Sequence, residues 1–317
     1  KAIRRQRQMC IRDRNNADMK SYGFEIELSW RDRIGEVDYG VKFNLADAQQ
    51  KVVKYPNTTN AFSDWYAGKM SGEIWGYTSL GIAKTDEEMK EHLASLPNGG
   101  QNQLGNKWGA GDIMYADING DGKVDGGKGT LADPGDQRII GNSTPRYNFG
   151  LVLDASYKGF DVSIFFQGVG KRDYAPIVGT NGAVFWGAVN NIWQSMAMEE
   201  HFDYFRPEGH PMGANLNGYY PRPDFTSNKN HQVQTRYLQD ASYIRLKNLQ
   251  IGYTLPKQWI NKLHINRCRV YVSGDNLWTG TSLASMFDPE TLAAGDWGSG
   301  KTYPLSKVIS FGLNVNF

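Results

Sequence analysis

One short segment of the chain carries oxygen-bearing side chains at the spacing of a calcium-binding loop. These side chains occupy the first, third, fifth and ninth positions of the loop: Asp117, Asn119, Asp121 and Asp125. Gly122 stands at the sixth position, where such loops turn sharply, and Lys123 at the seventh offers a backbone carbonyl. The segment therefore predicts a Ca²⁺ ion, or a similar hard cation, that braces a long loop.

The same segment departs from the calcium pattern at its last position. An EF-hand loop closes with a bidentate Glu, whereas this chain has Lys128 there. The following residues, 129–136, resemble an insertion that postpones the closing carboxylate to Asp133 or Asp136. The predicted ligands are Asp117, Asn119, Asp121, Lys123, Asp125 and Asp136. The alternative is a tight turn in which the Asp and Asn side chains bind their own backbone.

No motif in the chain indicates catalysis. The chain has no Gly-x-Ser-x-Gly elbow, no phosphate-binding glycine loop and no His-Glu-x-x-His segment, so we expect a protein that is not an enzyme. His201 and His210 have acidic neighbours at 199, 200 and 203, but their spacing matches no zinc site and is typical of a solvated loop.

Tryptophans concentrate in segments that lack regular patterning: Trp65, Trp75, Trp108, Trp186, Trp193 and Trp297. Their faces can stack on sugar rings, or they can hold loops to one another. In one of these segments, Thr85 and Glu88 have the spacing of a capping box and predict a short surface helix over 89–96.

The elements that position these residues are amphipathic strands. From 307 to 317 apolar and polar residues alternate without a break, which gives a strand one apolar and one polar face. Four further segments share this design: 22–30, 37–45, 147–157 and 160–167. Two less regular segments are 243–255, with a β-bulge near Asn248, and 267–277. The chain thus has seven predicted strands, several of the length that a tilted strand needs to cross a bilayer.

Short and long connections alternate along the chain. The short links are 31–36, 158–159 and 256–266, and the long links are about 46–145, 168–241 and 278–304. Outer-membrane barrels have short periplasmic turns and long extracellular loops, so this alternation sorts the chain into two sides of a membrane. The predicted fold class is all-β, an antiparallel transmembrane β-barrel with long extracellular loops.

Composition is compatible with this fold. With 40% apolar residues and a formal charge of +2, the chain has no run long enough for a membrane helix and no basic excess for nucleic acid. Residues 1–14 are basic and lack alternation, so we expect a disordered or non-native lead-in before the barrel portion, 15–317. Seven strands cannot close a barrel with loops of this size, so we expect a C-terminal part of something larger.

Several blocks resemble one transporter family. The blocks are 21–30, 72–77, 112–122, 140–146, 242–248, 252–256 and 272–277. Together and in this order they are similar to the C-terminal half of SusC/RagA-type TonB-dependent transporters of the Gram-negative outer membrane, found in Bacteroidota-like cells.

The resemblance implies a plugged barrel of 22 strands, of which this chain supplies the C-terminal seven, that takes up glycan oligomers or peptides as nutrients. It also implies a SusD-like surface lipoprotein as partner, TonB acting through an N-terminal part that these residues do not include, and outer-membrane lipid around the wall. The alternative is a secreted, soluble, calcium-stabilised β-sandwich that binds carbohydrate. The uniform apolar face and the alternating link lengths favour the importer.

Overall fold

The computed structural model describes residues 16–176, 182–187, 197–225, 229–261, 264–292 and 302–317. The predicted lead-in, 1–14, lies outside the described residues. In chain order the strands are β1 (Asp18–Ile34), β2 (Val37–Lys54), β3 (Glu73–Gly76), β4 (Ser79–Ile82), β5 (Ile113–Tyr115), β6 (Arg138–Asn142), β7 (Arg146–Tyr157), β8 (Phe160–Lys171), β9 (Asp173–Tyr174), β10 (Gln239–Asp240), β11 (Tyr243–Thr254), β12 (Arg267–Thr281) and β13 (Val308–Asn316). The α-helices are α1 (Asp86–Ala94), α2 (Gly182–Trp186) and α3 (Lys257–Ile260).

The predicted strands form a single seven-stranded antiparallel sheet. Its order is β1-β2-β7-β8-β11-β12-β13, so each strand pairs with the next long strand along the chain. The short strands form separate pairs within the links: β3 with β6, β4 with β5, and β9 with β10. The sheet is open at β1 and β13, which fits part of a larger barrel.

Local sequence explains the turns and the irregular strand. Lys158 and Gly159 have φ values of 48° and 91°, so the tight hairpin that was predicted there uses two left-handed residues. The register of β11 shifts between Leu246 and Asn248, which confirms the predicted bulge. Because neighbouring strands are antiparallel, the short links all lie at one end of the sheet and the long links at the other.

Some strand bounds differ from the prediction. β1 and β2 extend beyond 22–30 and 37–45, so the first long link begins after Lys54 rather than at position 46. β12 continues to Thr281, which moves the start of the third long link from 278 to 282. These strand ends lack an apolar row, and alternation therefore could not detect them. Among the described residues, no helix has both the length and the apolar character needed to span a bilayer.

Candidate functional site

Two adjacent rows of side chains cross all seven strands on opposite faces of the sheet. Paired residues share a face, so the register identifies each row. The apolar row is Trp30, Val41, Leu153, Ile164, Leu249, Gly274 and Ile309. The polar row is Arg31, Gly40, Asp154, Ser163, Gln250, Ser273 and Ser310. The sheet therefore has one apolar face and one polar face over its whole width.

Glycines allow ion pairs to lie flat on the polar face. Arg31 NH2 lies 3.1 Å from Asp154 Oδ2 and reaches it across Gly40, the residue paired with both. A Cβ at Gly40 would stand 2.7 Å from Asp154 Oδ1. Because Gly40 has no side chain, the long arginine can lie along the sheet surface. The ion pair therefore does not project far from the polar face.

A second ion pair uses a glycine in the same way, on the same polar face but between strands β8 and β12. Arg269 binds Asp161, and Gly252 is the residue paired with Asp161 in the neighbouring strand. A Cβ at Gly252 would collide with the Arg269 guanidinium. Charged groups thus gather on the face opposite the apolar row, where they need water around them.

The described residues of the three long links, 55–145, 172–242 and 282–307, form one body, here called the loop assembly. Its hydrophobic core joins residues from all three: Tyr77, Leu96, Ile113, Tyr115, Val124, Tyr174, Phe185, Trp186, Tyr220, Tyr237, Ala241, Leu283, Phe287 and Leu292. Tyr115, Phe185 and Tyr237 are fully buried. Burial of this aromatic surface stabilises the assembly at the long-link end of the sheet.

A buried carboxylate connects the first and second links. Asp112 is fully buried, and its Oδ2 accepts hydrogen bonds from Lys229 Nζ at 2.8 Å and from Arg222 NH2 at 2.9 Å. Its Oδ1 accepts from Asn230 Nδ2 at 2.9 Å, and Asn230 in turn accepts from the Ile113 amide. Nothing in the sequence brings 112 and 229 together, because their partnership depends on the packing of two distant segments.

A second charged cluster fixes the third link to the sheet. Arg245 of β11 donates to Asp288 at 2.7 Å and to Glu290 at 2.8 Å, and Lys247 donates to Glu290 at 2.6 Å. Burial disfavours the charge of Asp288, yet its pKa is lowered because Arg245 and the amides of Glu290 and Leu305 donate to it. These contacts tie the loop assembly to the strand wall.

The predicted calcium loop is folded on itself. Asp117 accepts from the amides of Gly120 at 2.6 Å and Gly122 at 2.8 Å. Asn119 accepts from the Asp121 amide, and Asp121 from the Lys123 amide. The Lys123 ammonium group lies 2.5 Å from Asp125 Oδ2. Most of the predicted oxygen ligands thus have a partner within the loop, as in the alternative reading as a tight turn.

The Asp136 side chain returns to this loop. Its Oδ1 accepts from the amides of Ile118 at 2.8 Å and Asn119 at 3.4 Å, and its Oδ2 from the amide of Asp125. Burial raises the pKa of Asp136, although these amide donors oppose the shift. Within the described ranges, no group of three or more His, Cys, Asp or Glu side chains is arranged to hold a metal ion. In this conformation the predicted ligands bind backbone amides and Lys123 rather than converging on one point.

The remaining residues singled out from sequence have ordinary partners. Thr85 Oγ1 accepts from the Glu88 amide at 3.1 Å and caps α1, which starts three residues before the predicted 89–96. His201 lies within 3.0 Å of the Val184 carbonyl oxygen, and His210 accepts from an amide. Both histidines therefore bind backbone groups in their own link.

The tryptophans mostly hold loops together. Trp75 stacks on Phe62 with ring centroids 4.5 Å apart, and Trp108 meets the edge of Tyr115 at 6.3 Å. Trp186 belongs to the core, while Trp65 is 38% exposed. Trp193 and Trp297 lie outside the described residues. Of the described tryptophans in the long links, Trp65 is the most exposed and so the most open to a sugar ring.

Sequence comparison finds relatives among the receptors of the bacterium Formosa agariphila. Its TonB-dependent receptor P3 is 27% identical over 333 residues, covering 96% of this chain and 29% of the receptor. TonB-dependent receptor P39 is 23% identical over 352 residues, covering 96% of this chain and 31% of the receptor. The chain thus spans less than a third of the length of these relatives. No family model matches it.

Comparison with solved structures finds transporters with a similar fold. The structure of the RagAB peptide transporter matches with a TM-score of 0.66 at 21% identity, covering 95% of this chain and 30% of the matched chain. The RagAB peptide importer in its "closed-closed" state matches with a TM-score of 0.64 at 22% identity, covering 94% and 30%. At this identity the likeness establishes the fold, an antiparallel barrel wall of which this chain contributes a part.

Proposed function

We propose that this chain, whose sequence and fold match the barrel portion of SusC/RagA-type TonB-dependent receptors, forms wall and outer loops of an outer-membrane importer. The observation that carries the proposal is the pair of adjacent rows, one apolar and one polar, that cross all seven strands. The sequence blocks predicted the resemblance to this family, and the comparisons confirm it.

The apolar face fits a lipid environment. Trp30 and Ile309, at the two ends of the apolar row, are 62% and 67% exposed in the isolated chain. Both lie on edge strands, but on the same face of the inner strands β11 and β12 Ile251 and Val272 are also 52% and 42% exposed. An exposed apolar face is unfavourable in water, whereas lipid satisfies it. β7, β8 and β11 have twelve residues each, which is enough for a tilted strand to cross the hydrocarbon layer. The loop assembly then lies outside the cell.

The proposed cargo is a glycan oligomer or a peptide. The matched solved structures are titled as a peptide transporter and a peptide importer. The polar face of the sheet would line the lumen. Because its ion pairs do not project far from the sheet, either kind of polar oligomer could pass along it. We further propose energy supply through TonB and a SusD-like surface lipoprotein that covers the loop assembly, because the family resemblance implies both.

The location can be tested on the complete protein expressed in a Gram-negative host. We expect it in the outer-membrane fraction, resistant to alkaline wash and released only by detergent. Uptake of fluorescent oligosaccharides and peptides should require both this protein and TonB. Recovery of the complete protein as a monomer in the aqueous fraction without detergent would contradict the proposal.

The soluble β-sandwich is a poor fit to the fold. A sandwich needs two sheets that face each other across a core. In the part of the chain that the structure describes, the seven long strands belong to one sheet, and the large core lies in the loop assembly instead.

We separately propose that the loop at 117–136 binds Ca²⁺ and thereby braces the loop assembly. The ligand spacing and the return of Asp136 to the loop support this proposal. Protease cleavage near the loop should slow when calcium, but not magnesium, is added to the complete protein. Replacing Asp117 and Asp121 with Ala should abolish that difference. Equal cleavage of the parent with and without calcium would leave the closed turn as the explanation.

A further inference from the structure

A small cavity of about 40 Å³ lies within the second long link. Its lining includes Trp186, His201, Tyr204, Tyr220, Arg222 and His231. Trp186 is only 4% exposed, whereas the Arg222 side chain is 41% exposed. The cavity therefore has a buried inner end, at the tryptophan, and an accessible outer end, at the arginine.

Two polar atoms at the inner end lack partners. Trp186 Nε1 and His231 Nδ1 are both buried, and neither has a hydrogen bond in the structure. The two rings stack with centroids 4.2 Å apart and planes 24° from parallel. Buried polar groups without partners are rare in native proteins because they cost stability. This end of the cavity is therefore suited to a group that accepts hydrogen bonds.

The histidine can donate while neutral. Burial lowers the pKa of His231 to about 4, although the Asp224 carboxylate opposes the shift. A neutral imidazole carries one N–H, and the partner of the ring decides which nitrogen holds it. An acceptor in the cavity would favour the tautomer with the proton on Nδ1.

Arg222 adds a charged donor at the outer end. Its NH2 binds Asp112 Oδ2 at 2.9 Å, and a guanidinium group has five N–H donors in all. The nearby carboxylates are engaged elsewhere: Glu200 accepts from Ser285, and Asp203 accepts from Asn215 at 2.9 Å. His201 is committed to backbone groups. The donors that the lining offers to the cavity thus include those of Trp186, His231 and Arg222.

The size of the cavity limits what enters it. A water-sized atom needs roughly 10–15 Å³ of such space, so the cavity accommodates about three heavy atoms. A carboxylate has three, whereas a sugar ring or an amino-acid side chain with its backbone is too large. A charged acceptor also makes stronger hydrogen bonds with these donors than a water or a hydroxyl group does.

We propose that this cavity binds a terminal carboxylate of the imported ligand, held by Trp186 Nε1, His231 Nδ1 and the Arg222 guanidinium. The inference rests on the proposed function and sharpens it, because it selects for acidic ends among the possible cargoes. Two sources share this chemistry: the C-terminus of a peptide and the carboxylate of a uronic acid sugar.

The test measures binding to the complete protein in detergent by ligand-observed NMR. The probes are two matched pairs: trialanine and its C-terminal amide, and methyl glucuronide and methyl glucoside. We expect at least one acid to bind about tenfold more tightly than its neutral counterpart. The pair that shows the preference identifies the source. Equal binding within both pairs overturns the proposal.

Two tryptophan variants separate donation from packing. Trp186→Phe keeps the aromatic ring and removes the N–H, so binding of the preferred acid should weaken about tenfold. Trp75→Phe is the matched control, because Trp75 Nε1 is also buried without a partner but lies against Phe62, outside the cavity. Equal affinities for the two variants, with unchanged protease patterns, would overturn the assignment of Trp186.

Arg222→Lys tests whether the planar shape of the guanidinium group matters for binding, in addition to its charge. It keeps the positive charge and loses the planar fork, so we expect an intermediate loss of affinity. Parent-like affinity in this variant would remove Arg222 from the site. Failure of the proposed function has a different signature, since it would place the complete protein in the aqueous fraction whatever its preference for acids.

Discussion

The strand wall and the loop assembly bury their apolar side chains in opposite ways. In the wall, Trp30 and Ile309 are 62% and 67% exposed, whereas in the loop assembly Tyr115, Phe185 and Tyr237 are fully buried. The assembly thus makes its own hydrophobic core, as a small soluble domain does. The wall exposes its apolar row outward and depends on its surroundings to cover it.

This difference teaches where stability comes from in each region. Side-chain packing and buried polar contacts stabilise the loop assembly, so single core substitutions should act there as they do in soluble proteins. Backbone hydrogen bonds and the lipid environment stabilise the wall, so what matters there is the face on which a substitution lies. The two regions should therefore respond to different kinds of change.

The largest expected effect is at the buried carboxylate of the loop assembly. Asp112→Ala leaves the Lys229 ammonium group, which is 1% exposed, without its main counter-charge. Breaking a buried ion pair from one side costs about 3–5 kcal/mol, so the first and second links should become open to protease while the strands stay protected. Hydrogen exchange with mass spectrometry of the complete protein would measure both regions.

Asp154→Ala is the matched control for that loss. Its partner Arg31 is 72% exposed, and such pairs contribute at most about 1 kcal/mol. If the two variants loosened the loop assembly equally, the contrast between a self-stabilised assembly and an environment-dependent wall would be wrong.

The next effect separates the two faces of the wall. Ile164→Arg puts a charge in the apolar row, where lipid would surround it, at a cost of about 2–4 kcal/mol near the bilayer midplane. Ser163→Arg puts the same charge one residue away, in the polar row, opposite Asp154. The temperature at which the complete protein loses its heat-modifiable mobility in SDS gels should fall for Ile164→Arg and change little for Ser163→Arg. Equal shifts would mean that the apolar row does not face lipid.

The wall could be predicted well because its information is local. Alternation identifies both faces of each strand, and the odd step near Asn248 showed up as the observed register shift. The glycine in the 158–159 turn was equally readable. What alternation missed were the outer ends of β2 and β12, where no apolar row continues because the strands extend past the apolar belt.

The loop assembly could not be predicted, because its information is distributed. Asp112 and Lys229 meet only after two links have packed together, and neither lies in a pattern that marks it as a partner of the other. Trp186 and His231 likewise come together in one cavity only when distant parts of the second link pack against each other, so the cavity could not be predicted either. The calcium pattern at 117–125 was readable as a sequence, but its side chains turn to their own amides in the structure. Spacing alone could not decide between these outcomes.

A smaller effect should appear on acidification, in the loop assembly alone. The pKa of His231 is lowered to about 4 by burial, against 6.5 for an unperturbed group. The unfolded chain therefore binds a proton at higher pH than the folded one. The contribution of neutral His231 to the free energy of unfolding is complete above pH 6.5 and is lost as the pH falls towards 4. The free energy of unfolding is lower by about 1 kcal/mol near pH 5.5.

Hydrogen exchange around 229–237 at pH 7 and 5.5, corrected for the intrinsic pH dependence of exchange, would measure this loss. His231→Phe keeps the stacking on Trp186 and removes the titrating group, so it should flatten the response. An unchanged response in that variant would assign the pH effect to another group.

The smallest expected effect is at a cap that the sequence already identified. Thr85 accepts from the Glu88 amide at 3.1 Å, while the Glu88 side chain accepts from the Lys84 amide at 2.6 Å instead of completing a capping box with Thr85. Thr85→Ala should cost about 1 kcal/mol and speed exchange in 86–94 only, whereas Thr85→Ser should restore protection. Met89 of α1 is 1% exposed in the assembly, so packing holds the helix even when the cap is lost. If Thr85→Ala loosened the whole assembly as Asp112→Ala does, local capping rather than shared packing would control the folding of this region.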